Sequence, residues 1–351
     1  MTIYPNLILD ALRHVNHPAT GKNIVESGIV EDDIRIEGMK VSFSLKLRSN
    51  DPLAKSLVKA SETAILTYVS PDVEIKGNIA VKSPEQPQRE QEEPLKGVKC
   101  KIAISSGKGG VGKSTVTSNL AISLSKLGYK VGVLDADIFG PSIPKMFGIE
   151  DGVPYANEAG LILPLEKYGI KILSIGFFVN TDTAIVWRGA MASGAIKQLL
   201  TEADWGELDF LLIDLPPGTS DIHLTVVQTI RLDGAIVVST PQQVALADAV
   251  RGIDMFQNDK INVPVLGLIE NMAWFTPKEL PENRYYIFGK EGVSNLAQER
   301  GIALLGQIPL VQGICEGGDN GTPVSMTDTI TASAFDNVAK KSIFAELLKG
   351  K

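Results

Sequence analysis

Two lysines stand five residues apart in SSGKGGVGKST, residues 105–115. Residues 107–114, GKGGVGKS, fit the spacing G-x-x-x-x-G-K-[ST], which is the chemistry of polyphosphate binding. Gly107, Gly109, Gly110 and Gly112, with Val111 between the last two, let successive backbone N–H groups turn toward phosphate oxygens. Lys113 is expected at the β- and γ-phosphates of ATP. Ser114 is expected on Mg²⁺, with Thr115 beside it at the start of a helix. An apolar strand before the loop and the helix STVTSNLAISLSKL after it weigh against a glycine-rich turn that binds nothing.

Three carboxylates fit the same chemistry. FLLIDLPPGTSD ends an apolar run on Asp214, which reads as the acidic partner of Mg²⁺, with Pro216, Pro217 and Gly218 forming a γ-phosphate-sensing segment. VGVLDADIFGPS ends another run on Asp135 and Asp137, one suited to support Mg²⁺ and the other to orient the attacking water. Two solvated turn aspartates are the plainer alternative for that pair.

These groups must be placed by strand ends. KIAISS, VGVLD, IKILSIG, FLLID, AIVVST and VPVLGLIE are Val/Ile/Leu-rich runs, most of them separated by helical segments. They predict an α/β domain over 97–351, a P-loop NTPase with a mostly parallel sheet, helices on both faces and ligands at the C-terminal strand ends. Residues 1–83 predict a small α+β domain. Leu7, Ile8, Ala11, Leu12 and Val15 form a helix ended by Pro18. KVSFSLKL (40–47) alternates as a strand, a second helix opens at Asp51 and Pro52, and DVEIKGNIAV forms another strand. PEQPQREQEEP, within 84–96, holds no aliphatic or aromatic residue and reads as an extended linker.

Composition bounds the partners. The 351 residues are 44% hydrophobic and 21% charged, with a net charge of −7, which points away from nucleic acid. No apolar run is long enough to span a bilayer, and the N-terminus lacks a signal-peptide pattern, so a cytoplasmic protein without membrane partners is expected. Only Cys100 and Cys315 are present, which excludes a disulfide framework and a four-cysteine site within one chain.

KGGVGKST resembles the deviant Walker A motif of the ParA, MinD, NifH and Mrp group. DADIFGPSIPKMFG, VWRGAMASGAIKQLL, DFLLIDLPPGTSDIHLT and GLIENM resemble its Mrp/ApbC branch, the iron–sulfur cluster carrier ATPases. NHPATGKNIVESGIV is similar to the small domain that often precedes that ATPase. The resemblance implies a homodimer that hydrolyses ATP slowly and hands clusters to apoprotein clients or takes them from a scaffold. It makes Lys108 a lysine that reaches the partner's phosphates, Asp137 the water-positioning residue, Asn271 an adenine contact and Pro309 a neighbour of the base.

The same resemblance exposes a gap. The family typically carries C-x-x-C after ENM, and here AWFTPKELPENRYYIFG (273–289) has no cysteine. A cysteine often found near the small domain's second helix is also missing. Cys100 is expected to be buried in the strand entering the loop. Cys315, in QGICEGGDNG, is expected in a surface loop and is the remaining candidate cluster ligand. His14 and His17 fall three apart on the predicted first helix, His223 belongs to the helix after the switch segment, and the amphipathic C-terminal stretch AFDNVAKKSIFAELLKGK is expected to pack on the core. Two alternatives to the carrier remain: a cluster-free nucleotide switch that docks partners, and a positioning ATPase of the MinD/ParA kind.

Overall fold

The computed structural model describes residues 3–18, 21–47, 53–82, 94–178, 189–277, 279–280, 282–327 and 329–349. The chain divides into two compact units, Met1–Glu92 and Glu93–Lys351. The linker stretch at 84–93 and the helix opening at Asp51 and Pro52 lie outside the described residues.

In the first unit, α1 (Pro5–Leu12) and α2 (Ala54–Tyr68) accompany a three-stranded sheet of β1 (Arg35–Glu37), β2 (Lys40–Lys46) and β3 (Ile79–Lys82). β1 pairs antiparallel with β2, and β2 pairs parallel with β3. Ile8, Leu12, Phe43, Leu45, Leu57 and Ile65 form its core. The first helix stops at Leu12, earlier than Pro18, because the chain turns at Arg13 and His14 so that Asn16 can bridge Asn23. Val15 is buried from that turn rather than from a helix. The run DVEIKGNIAV is strand only from Ile79. Before it, Glu74 makes a single bridge to Lys40, and the turn at Gly77 separates the two.

The second unit holds an eight-stranded sheet. Its strands are β4 (Val98–Ser105), β5 (Val131–Asp135), β6 (Leu165–Lys167), β7 (Ile170–Ser174), β8 (Leu208–Asp214), β9 (Gly234–Ser239), β10 (Val265–Glu270) and β11 (Leu304–Gln307). They lie in the order β11-β10-β9-β4-β8-β5-β7-β6, parallel throughout except for β6 on β7. The six apolar runs are the six inner strands. β6 and β11 escape the apolar pattern because they are short edge strands, half-buried or exposed at most positions.

Helices α3 (Lys113–Lys126), α4 (Ile143–Met146), α5 (Gly189–Thr201), α6 (Asp221–Thr229), α7 (Gln243–Gln257), α8 (Gly292–Arg300), α9 (Gln312–Asp319), α10 (Ile330–Ala339) and α11 (Ser342–Lys349) complete this unit. Alternate strand residues feed opposite faces, as the pleat requires. Ile102, Ile104, Val133 and Leu212 pack with α3, α10 and α11, while Ala103, Leu134, Leu211 and Ile213 pack with α5 and α6. Phe344 of α11 is buried edge-to-face on Phe210, so the apolar face of the C-terminal helix lies on the core. Among the described residues no helix is long and apolar enough to cross a membrane.

α3 is buried on nearly every side between the sheet and α10. Its small polar residues are therefore matched rather than solvated: Ser123 Oγ donates to Asp336 at 2.6 Å, and Asn119 accepts the Ser325 N–H at 2.8 Å. A helix clamped on both sides gives the phosphate loop at its N-terminus a fixed base.

Candidate functional site

β4 delivers the loop Ser106–Gly112 at the sheet centre, between β9 and β8. Gly107 has no room for a side chain, because a Cβ there would strike the backbone of Asp248 and Ala249 in α7. Its role here is close packing of loop on helix. Gly112 caps α3 in the left-handed region (φ 83°), and a Cβ on it would meet the Asn271 side-chain amide.

Lys113 folds down onto the strand ends. Its Nζ lies 2.7 Å from Asp214 Oδ2 and 3.6 Å from Asp137 Oδ2, and the lysine is only 5% exposed. Ser114 Oγ donates to Asp214 Oδ2 at 2.5 Å, and Thr117 Oγ1 donates to Asp214 Oδ1 at 2.6 Å. Asp214 is fully buried, so both its oxygens depend on these partners. Thr117 was not legible as a site residue. The signal for it is its place one turn after Ser114, on the same face of α3.

Asp135 stands directly opposite Asp214 in the β5–β8 register. Burial pushes its carboxyl up to about 7, and the neighbouring Asp214 charge adds to the effect. Burial also raises Asp137, against the pull of Lys113. Asp135 Oδ1 accepts the Asp137 N–H at 3.1 Å, and Oδ2 accepts from Ile143 N–H at 3.2 Å and Ser174 Oγ at 2.9 Å. Asp214 and Asp137 thus share the one Lys113 ammonium, with Asp135 beside Asp214 across the β5–β8 pairing.

Lys108 is set apart from this cluster. Its Nζ lies 3.3 Å from Gln242 Oε1, at the start of α7, and the side chain is half-buried. Asn271, expected at an adenine, donates its amide to the Val111 carbonyl at 2.8 Å, bracing the loop from behind. Pro309 follows β11, between Ile308, which bonds Glu270, and Leu310, which bonds Trp274. It lies at a strand end neighbouring that of Asn271.

The other sequence candidates separate from the site. Cys100 is fully buried in β4, opposite Phe210. Cys315 is on α9, not in a loop; its thiol is exposed, 3.6 Å from the Asp319 carboxylate, which pushes the thiol up. His14 and His17 do not share a helix, since α1 ends before both, and His14 stacks on Tyr68 at 4.1 Å. In the cysteine-free interval, Phe275 and Tyr285 exchange backbone hydrogen bonds at 2.8 Å, and Arg284 lies over Trp274.

His223 sits at the third position of α6 and closes a capping box: Nδ1 accepts the Ser220 N–H at 3.1 Å. That bond assigns its proton to Nε2. Burial lowers its pKa from 6.5 to about 4. Between those values the unfolded chain binds a proton that the native chain refuses, so stability rises with pH through this window and falls as pH drops below 6.5. The full contribution is on the order of 3 kcal/mol. His223→Gln keeps a side-chain acceptor for the cap and cannot titrate. Its denaturation midpoint is expected to fall less between pH 7 and 4.5 than that of the parent; parallel losses would remove His223 from the acid limb.

A glycine loop at the centre of a parallel sheet, a lysine and serine at the helix start, and acidic residues at the ends of β8 and β5 define a P-loop NTPase. The ParA family model, described as NUBPL iron-transfer P-loop NTPase, matches residues 97–343, and a model for an iron–sulfur cluster assembly protein matches residues 6–76. The chain belongs to the NUBPL iron-transfer P-loop NTPase family. It is 41% identical over 341 residues, 95% of each chain, to the iron–sulfur cluster carrier protein of Synechocystis. It is 49% identical to that of Aquifex aeolicus, over 73% of this chain and 70% of that one. The solved nucleotide-binding protein of Archaeoglobus fulgidus, in complex with ADP, is 41% identical, with a TM-score of 0.57 over 65% of this chain and 88% of that one.

Proposed function

We propose that this protein is an ATP-hydrolysing, homodimeric iron–sulfur cluster carrier. The observation that carries the reading is the buried cluster of Lys113, Ser114, Thr117, Asp137 and Asp214 at the C-terminal strand ends, in a chain so similar to named carriers along its whole length. The N-terminus of α3 and the loop N–H groups suit a polyphosphate. The hard oxygens of Ser114 and Asp214 suit Mg²⁺, with Asp214 either a direct ligand or acting through water, and the excess of buried carboxylate over ammonium leaves charge for a divalent cation to balance. A Mg²⁺ held there would supply charge neutralisation for phosphoryl transfer.

The chain's own residues do the rest. Lys113 releases Asp214 and binds the β/γ oxygens. Asp137 orients the attacking water, and Lys108 reaches the phosphates held by the second subunit at the transition state. Asn271 and Pro309 border the adenine. Hydrolysis of this kind needs placement more than strong base chemistry. Dimerisation would then gate turnover, and cluster transfer to apoprotein clients would follow the nucleotide cycle.

The cluster is cargo, and the thiols do not form a complete socket for it. A four-cysteine cluster needs four soft ligands. A dimer has four thiols, but both copies of Cys100 lie inside β4. The exposed Cys315 is the remaining thiol candidate, and a cluster held there would need a small thiol or a client's cysteines beside it and would be weakly bound. Anaerobic reconstitution with iron and sulfide, then gel filtration, is expected to leave little colour on the dimer alone and more when glutathione is kept in the buffer. A strong chromophore without added thiol, near stoichiometric with the dimer and lost in Cys315→Ser, would restore an ordinary bridging cluster. No iron retained under either condition, with ATPase intact, would favour the cluster-free switch, the reading to which the Phe275–Tyr285 bridge in place of a cysteine pair lends weight.

A further inference from the structure

Asp137 can orient water only if the segment that carries it is held still. That segment, Asp137–Ser142, runs from the end of β5 to the start of α4 and is without helix or strand of its own. Phe139 within it is 81% exposed, so no side-chain packing holds its middle on that side, and its N–H donates to Asp137 Oδ1 at 3.3 Å, a tie inside the segment itself. Pro141 leans on Gly176, where a Cβ would come within 2.9 Å of it.

Both ends of the segment are tied to one carboxylate. Asp135 Oδ1 takes the Asp137 N–H and Oδ2 takes the Ile143 N–H, six residues further on. Ile143 opens α4, so its N–H has no acceptor within the helix, and the Ser142 side chain does not cap it. Ser174 Oγ, from the neighbouring β7, donates to the same Oδ2 and fixes the carboxylate's orientation; it also accepts the Gly176 N–H at 2.9 Å. Asp135 is fully buried and held in β5 between β7 and β8. It is therefore a rigid post, and the segment is a loop stapled to it at two points. With the staple closed, Asp137 Oδ2 lies 3.6 Å from Lys113 Nζ, facing the phosphate end of the loop.

We propose that Asp135 is a positioning residue for hydrolysis: it closes the Asp137–Ser142 loop by accepting both flanking amides, and so sets where the Asp137 carboxylate stands. The proposal rests on the assignment of Asp137 to the hydrolytic step. Asp135 acts through Asp137 and touches no reacting atom.

Asp135→Ala removes both acceptors together with a carboxylate that repels Asp214, so the variant is expected to fold. Its kcat for ATP is expected to fall about 100-fold, the usual effect of a misplaced group, with KM within about threefold. Asp135→Asn, which keeps one acceptor oxygen, is expected to recover part of that loss. In hydrogen exchange the Asp137 and Ile143 amides are expected to be protected in the parent and to exchange roughly 100-fold faster in Asp135→Ala, with the β8 and β9 amides unchanged. A kcat within twofold of the parent, or a loss seen wholly in KM, would overturn the proposal. So would free exchange of those two amides in the parent, a measurement that needs no variant. Asp137→Ala, run beside it, separates the failures. If Asp137→Ala is inactive and Asp135→Ala is not, the staple is wrong. If both are active, the assignment of Asp137 itself has failed.

Discussion

Lys108→Ala protein is expected to bind ATP with near-parental affinity and to hydrolyse it about 10³–10⁵-fold more slowly, the range lost when a cation supplied by a second subunit is removed from phosphoryl transfer. The two lysines have different partners. Within its own chain Lys108 reaches Gln242 at 3.3 Å and stands apart from the Lys113–Asp214 cluster, so its removal leaves that cluster whole. The folded unit loses one half-exposed ammonium–amide hydrogen bond at the edge of α7, a contact outside the Lys113–Asp214 cluster. The mixing experiment decides the point. Lys108→Ala chains carry an intact Asp137, and Asp137→Ala chains carry an intact Lys108. A mixed dimer therefore has one complete site, and equal mixing should return roughly a quarter of parental activity. Silence from a mixture whose heterodimers have been measured would return Lys108 to its own loop.

Lys113→Ala is expected to abolish tight ATP binding. Removing one partner of a buried, hydrogen-bonded charge pair costs about 2–5 kcal/mol, which is roughly 30-fold to several thousand-fold in affinity. The structure adds a second consequence. The Lys113 ammonium is held by Asp214 at 2.7 Å and Asp137 at 3.6 Å, with Asp135 across the β5–β8 pairing. Its loss leaves buried carboxylates without their cation, and breaking a pair of this kind costs about 3–5 kcal/mol of stability. The variant should therefore melt earlier than the parent in the absence of nucleotide, and added Mg²⁺ should recover more of that loss in the variant than in the parent. Calorimetry with ATP and melting with and without Mg²⁺ check both halves. Unchanged ATP affinity would remove Lys113 from the phosphates, and an unchanged melting temperature would show that the cluster is not held by its charge.

Much of this protein is legible in its residues. The six inner strands are legible because a strand buried on both faces is apolar over most of its length, as FLLI and AIVV are before Asp214 and Ser239. The loop read correctly because phosphate chemistry restricts residue type and spacing together. The edge strands β6 and β11 did not, since half-exposed residues such as Glu166 and Gln307 carry no apolar signal. Cys315 is expected in a surface loop, yet it lies on α9, although QGICEGGD is rich in glycine, a poor helix former. Packing of α9 against α4 and against the turn at Val324–Met326 overrides that local preference.

By itself, then, the sequence determined the chemistry available: which groups suit phosphate and a divalent cation, that they sit at strand ends, and that one chain lacks the cysteines for a four-thiolate cluster. Tertiary structure alone decided how those groups share the work. Gly107 serves packing on α7, Thr117 completes the coordination of Asp214, and Asp135 spends its oxygens on the backbone amides of Asp137 and Ile143. Each of these depends on contacts between residues far apart in the chain, or on which way a side chain turns at a strand end. Residue type and spacing report what a side chain can bond. The partner it does bond is set by strand order, register and the direction of neighbouring backbone groups, which exist only once the sheet has closed.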